Sequence, residues 1–120
     1  MKLRRYTATE SIPFGHLTIR DMTPDLFTQA TMTEVEVPVG ADNPPYAALS
    51  KDKVYVGVSG DIEFNVEGET VRVRRGDVLV INRGEQYRYH NGGYELGRLF
   101  VIQVPQSADE DVSDQASGAM

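Results

Sequence analysis

The chain has 120 residues, 40% of them hydrophobic and 25% charged, with no cysteine and a formal net charge of −6 from 12 Lys+Arg against 18 Asp+Glu. That size and composition fit one soluble globular domain with a core of its own. The missing cysteines exclude disulfides, thiolate metal sites and cysteine nucleophiles, the acidic balance disfavours nucleic acid or an anionic membrane as a partner, and no apolar run is long enough to span a bilayer.

The opening MKLRRYTATE is basic but has no apolar stretch behind it, so it does not read as a secretory leader, and the expectation is a cytoplasmic protein. Residues 1–32 read as an N-terminal strand segment whose Ile12, Phe14, Leu17 and Ile19 are suited to cover an apolar surface. Within it, TPDLFTQATM offers one helical turn, with Thr23 as candidate N-cap and Pro24 at the first helical position.

From Thr33 the pattern is that of β-strands. Val35, Val37 and Val39 alternate with Glu34, Glu36 and Pro38, and Val71 and Val73 alternate with Arg72 and Arg74. In KVYVGVSG, Val54, Val56 and Val58 alternate with Lys53, Tyr55 and Gly57, which leaves neither face polar. VLVI (78–81) and LFVIQV (99–104) are continuous apolar runs, expected to be buried on both faces. Turn signals such as SGD, VEGE, RRGD and NRGE separate these strands at short spacing. Residues 33–105 are therefore expected to form an all-β domain, an antiparallel sandwich or barrel, which a jelly roll is one standard way to close. From Gln106 onward the composition is Ser, Ala, Asp and Gln, with Asp109, Glu110, Asp111 and Asp114 unbalanced by any basic residue. Such a segment buries too little apolar surface to offset its ordering entropy, so residues 106–120 are expected to be a disordered acidic tail.

Two spaced motifs sharpen the fold. Gly40, Tyr46, Ala48, Lys53 and Gly60 fall at the intervals of G-x5-H-x-H-x4-E-x6-G, and Gly76, Asn82, Gly84, Tyr87 and Asn91 at those of G-x5-P-x-G-x2-H-x3-N. In this the chain resembles the small single-domain cupins of RmlC-like jelly-roll fold, over roughly Thr33 to Val104. The resemblance implies that positions 46, 48, 53 and 87, which in metal-binding cupins hold the ligands, converge inside the barrel. Here they are Tyr, Ala, Lys and Tyr. An alanine has no donor atom, an ammonium repels a cation, and a protonated phenol is a poor ligand, so neither metal nor cofactor is expected.

If the cupin geometry carries over, Lys53 stands in for the metal's charge, in a pocket with Tyr46 and Tyr87 and, by alternation, Tyr55 and Tyr89, while Gly57 leaves room for a ligand. A desolvated lysine can act as base or form a Schiff base, and a phenol as acid or oxyanion donor. Lys53, Tyr46 and Tyr87 are thus candidate catalytic residues for an isomerase, cyclase or lyase step, with a small organic molecule as partner. Tyr55, Tyr89, Gly57 and His16 are candidate ligand-binding residues, His16 as one that reaches over a barrel mouth. His90 should point outward. The alternatives are a non-catalytic binding or sensing cupin, and a structural dimer with a filled barrel. The apolar outer face of the strand through Val54, Val56 and Val58 calls for a cover, and an isologous homodimer is expected.

Overall fold

The computed structural model describes residues 1–24, 26–43 and 50–105, together with the backbone of Tyr46 and Ala47. The expectations for Ala48 and for the acidic tail therefore lie outside the described residues. A short 3-10 turn at Tyr6–Ala8 leads into ten strands: β1 (Ser11–Phe14), β2 (Leu17–Asp21), β3 (Thr31–Val37), β4 (Tyr46–Ala47), β5 (Lys51–Ser59), β6 (Asp61–Val66), β7 (Glu69–Arg74), β8 (Val78–Ile81), β9 (Gln86–His90) and β10 (Gly97–Pro105). They form two antiparallel sheets, ordered β1-β2-β3-β10-β5-β8 and β4-β9-β6-β7, in the arrangement of a cupin jelly roll. The core between them holds Val35, Ile62, Phe64, Ile81, Leu99 and Val101, all fully buried.

Period-two alternation decides which side chains enter that core. On β5 the inward set is Lys53, Tyr55 and Gly57, each buried, while Val54, Val56 and Val58 face outward and stay half exposed. On β7 Val73 is buried, and Arg72 and Arg74 face out to form ion pairs with Asp61 and Glu63. The β1–β2 hairpin joins the larger sheet through β3, with Ile19 opposite Val35 and Arg20 opposite Glu34. Its buried residues, Leu17 and Ile19, therefore extend the inner face.

Three details depart from the sequence reading. Within one chain the N-terminal segment does not cover the valine face of β5, because the hairpin lengthens the sheet sideways beyond β3. The VLVI run is not buried on both faces: β8 is a sheet edge, and Val78 and Val80 are 61% and 51% exposed. The expected turn forms, Leu26 N–H donating to the Thr23 carbonyl at 2.9 Å, but among the described residues the Thr23 hydroxyl does not cap it and accepts the backbone N–H of Met32, which fastens the β2–β3 connection.

Gly57 brings strands of the two sheets together. A Cβ at this position would overlap the carbonyl oxygen of Arg74. Two backbone bonds run beside that contact, from Gly57 N–H to the Asp77 carbonyl and from Gly76 N–H to the Gly57 carbonyl, each 2.9 Å. The missing side chain admits backbone, and it leaves no room for a ligand. Gly57→Ala is expected to destabilise the domain by about 3 kcal/mol or more, because the obstacle is main chain and cannot rotate away. Urea denaturation of the two proteins measures the loss.

Candidate functional site

Lys53 enters the barrel from β5 and Tyr87 from β9 of the opposite sheet. The Lys53 Nζ donates to the Tyr87 hydroxyl at 3.0 Å, and the Tyr55 hydroxyl donates to the same oxygen, also at 3.0 Å. Lys53 is 1% exposed, so its amine is taken out of water and held by phenol oxygen. Around this point the rings pack edge to face, Tyr55 lying 5.0 Å from Phe64, 5.9 Å from Tyr87 and 5.8 Å from Tyr89 between centroids. Phe64 and Tyr89 are 4.8 Å apart. Around the Lys53 amine these four aromatic side chains meet between the sheets.

Lys53, Tyr55, Tyr87 and Tyr89 are thus gathered into one buried cluster. Tyr46 is in register with Tyr87 on the backbone. His16 does not join them. It lies exposed at the β1–β2 turn, lining a shallow groove with residues 38–42. Val37 pairs with Gly97 at that end of the sheet and Lys53 with Gln103 at the other, a separation of roughly 20 Å along β10. His90 is exposed on the outer face of β9. A wider groove of about 690 Å³ opens at the Lys53 end, its floor formed by Ile12, Ile19, Thr33 and Gln103. Its rim carries Arg4 and Lys51 together with Glu10 and Asp21, so its charges balance.

Sequence reasoning gave no structural role to three polar residues that hold the barrel in shape. Asn91 is fully buried; its Nδ2 donates to the carbonyls of Val37 and Glu95 at 2.8 and 2.9 Å, and its Oδ1 accepts from Gly93 N–H at 2.9 Å. The place of an Asn at the end of the second motif was the signal available for it. Asn43 Oδ1 accepts Tyr89 N–H and aligns the strand that carries Tyr87. Asp52, next to Lys53, takes the backbone N–H of Arg83 at 2.9 Å and its guanidinium at 3.0 Å, which pins the β8–β9 turn to β5. These bonds, the backbone one first, hold the Asp52 carboxyl below the ordinary carboxylate range.

Two measurements probe this geometry. A carboxyl whose folded-state value is depressed stabilises the fold above its unfolded value, and that contribution is lost as pH falls through the folded one. Asp52→Asn should therefore flatten the stability profile below about pH 4, read by thermal melts across pH, with little change in its slope near neutrality. Tyr87→Phe removes an acceptor from the buried amine and should cost about 1–3 kcal/mol. Lys53→Met replaces the amine by an apolar side chain of similar length and should cost less, and the Lys53→Met/Tyr87→Phe pair should be less than additive in a double-mutant cycle.

The donor set does not fit a divalent cation, since an ammonium and a phenol occupy two of the positions where metal-binding cupins carry ligands. Among the described residues, no group of three or more His, Cys, Asp or Glu stands together to hold a metal ion.

The cupin domain profile matches residues 33–103, more than half of the chain and the span of both motifs. The chain belongs to the cupin family. A sequence relative is the inner kinetochore subunit cnp3 of Schizosaccharomyces pombe, to which this cupin is 28% identical over 75 residues, 62% of this chain and 12% of that protein. The cupin thus spans a small part of the relative it matches. Among solved structures, the Schizosaccharomyces pombe Cnp3 cupin domain superposes with a TM-score of 0.76 at 20% identity, over 95% of this chain and 78% of that one. KdgF from Halomonas gives 0.78 at 15% identity, over 91% and 97%. Drosophila melanogaster CENP-C, in a structure bound to CAL1, gives 0.73 at 13% identity, over 84% of each chain.

The expectation of a small organic molecule as the partner is corrected by these findings. What the fly relative carries in that structure is another protein, CAL1. The physical reason visible in the barrel is at Gly57, where the space such a molecule was expected to use is met by the Arg74 carbonyl and a Val73 methyl.

Proposed function

We propose that this cupin is a non-catalytic module with a filled barrel, pairing with a second copy of itself and interacting with other proteins through its surface. The observation that carries this reading is the sealed amine: Lys53 is 1% exposed and rests on a hydroxyl that already serves Tyr55. In the ordinary cupin the corresponding space faces a metal and a substrate. Here an amine, two phenols and a phenylalanine join the sheets from inside, which makes the barrel a scaffold. The likeness to cupin domains of Cnp3 and CENP-C supports a role in protein assembly.

The outer face of the larger sheet supports self-pairing. Cross-strand register aligns Phe100, Val56 and Val78 in one row and Ile102, Val54 and Val80 in the next. Monomeric proteins rarely leave such a face in water. The N-terminal turn lies to one side of it, with the Tyr6 hydroxyl donating to Glu34 at 2.7 Å and the Tyr6 ring 4.3 Å from the Arg20 guanidinium carbon. The acidic composition of residues 106–120 is unsuited to cover valines. A second copy offers the same apolar rows about a two-fold axis.

Lys2, Lys51 and Lys53 are all the lysines of the sequence, which gives the filled barrel a direct test. Reductive methylation of the native protein, followed by peptide mass spectrometry, should modify Lys2 and Lys51 and spare Lys53 until urea is added. Methylation of Lys53 at the rate of Lys51 would show an open site and return the cluster of Lys53, Tyr46 and Tyr87 to the catalytic reading. Sedimentation tests the pairing: the native chain should run as a dimer and Val80→Arg as a folded monomer, whereas a monomeric native chain overturns it.

A further inference from the structure

Asn91, the buried amide at the end of the barrel remote from Lys53, stands in a dipeptide with a chemistry of its own. When glycine follows asparagine, its backbone nitrogen attacks the side-chain amide more readily than that of any other residue, because no Cβ obstructs the approach. Of the four asparagines in the sequence, Asn43 precedes a proline, which has no N–H, Asn65 a β-branched valine and Asn82 an arginine. Asn91 alone precedes a glycine. The fold does not require that glycine. A Cβ on Gly92 would meet only the His90 ring, at 3.6 Å, which is ordinary contact, whereas one on Gly57 or Gly97 would strike the Arg74 carbonyl or the Ile62 side chain.

In the folded chain the reactive pair is locked. Asn91 is fully buried, its Nδ2 donates to the carbonyls of Val37 and Glu95, and its Oδ1 accepts from Gly93 N–H. Its backbone N–H donates to the Ala41 carbonyl and its carbonyl accepts Gly40 N–H, at 2.9 and 2.8 Å. Deamidation requires the Gly92 nitrogen to bond to Asn91 Cγ while the bond from Cγ to Nδ2 breaks. The Gly92 proton passes to a solvent base, and Nδ2 takes up a proton and leaves as ammonia. Here both Nδ2 hydrogens are committed to carbonyl oxygens, which have no proton to give, and the side chain has no face toward solvent. Water afterwards opens the cyclic imide at either carbonyl, leaving aspartate, or isoaspartate with the main chain routed through the side-chain carbon. Either product undoes the tie between loops 38–42 and 92–96. Aspartate turns an acceptor toward the Val37 and Glu95 carbonyls in place of a donor, and isoaspartate displaces the backbone bonds to Gly40 and Ala41. We propose that Asn91–Gly92 is a deamidation site gated by the fold: inert while the loops are tied, it reacts with water when they open and makes the opening permanent.

The test is to hold the full chain in mildly alkaline buffer with and without urea and to follow each asparagine by peptide mass spectrometry, with chromatographic separation of the aspartate and isoaspartate forms. Asn91 should convert in urea at least tenfold faster than Asn43, Asn65 and Asn82, and at least tenfold faster than it does in the native chain. Gly92→Ala should slow that conversion at least tenfold, a comparison made in urea and so independent of how the variant folds. When urea is removed, the converted fraction should fail to regain the native melting transition. Equal rates at the four asparagines, equal rates at Asn91 with and without urea, an unchanged rate in Gly92→Ala, or a converted chain that melts as the native one does would each overturn the proposal.

Discussion

The contact between the Lys53 amine and the Tyr87 hydroxyl is the constraint around which the barrel is organised. It joins β5 of one sheet to β9 of the other at the level where related barrels hold a metal ion. A buried ammonium without an acceptor would be far more costly than any single packing fault in a domain of this size. The phenol supplies that acceptor, Tyr55 completes its hydrogen bonding, and Phe64 and Tyr89 pack the rings in place. The amine at a ligand position and the rings packed around it are thus two aspects of one substitution pattern.

The larger sheet is apolar on both faces because the alternation on β5 places valines opposite the inward residues. Its polar side begins where Arg20, Glu34 and Arg98 gather under Tyr6, which marks the border between the part of the face satisfied within the chain and the part that is not. At the far end of the barrel Asn91 does for the loops what Lys53 does for the core: one buried polar side chain, hydrogen-bonded to its neighbours, ties two segments together.

Much of this was legible in the residues. The glycines and the final Asn of the two motifs are backbone requirements, and they marked the strands and turns correctly: Gly40, Gly60, Gly76 and Gly84 all adopt positive φ. The cupin resemblance implied inward positions for Lys53 and Tyr87, alternation added Tyr55 and Tyr89, and all four are buried. The reading of Gly57 failed because spacing says that a side chain is missing but not which neighbour needs the gap; the Arg74 carbonyl comes from another sheet. The position of His16 was beyond reach for a similar reason, since the β1–β2 hairpin joins at β3 and carries the turn to the opposite end from Lys53.

The sequence by itself determined the strand pattern, the cupin frame and the unsuitability of its ligand positions for a metal, because these depend on local period, spacing and donor chemistry. Only the tertiary structure decided that the amine is buried, that Gly57 serves the backbone and that the valine rows face outward. Each of those depends on which strand of one sheet meets which strand of the other, and pairing between segments distant in sequence leaves no local trace in either of them.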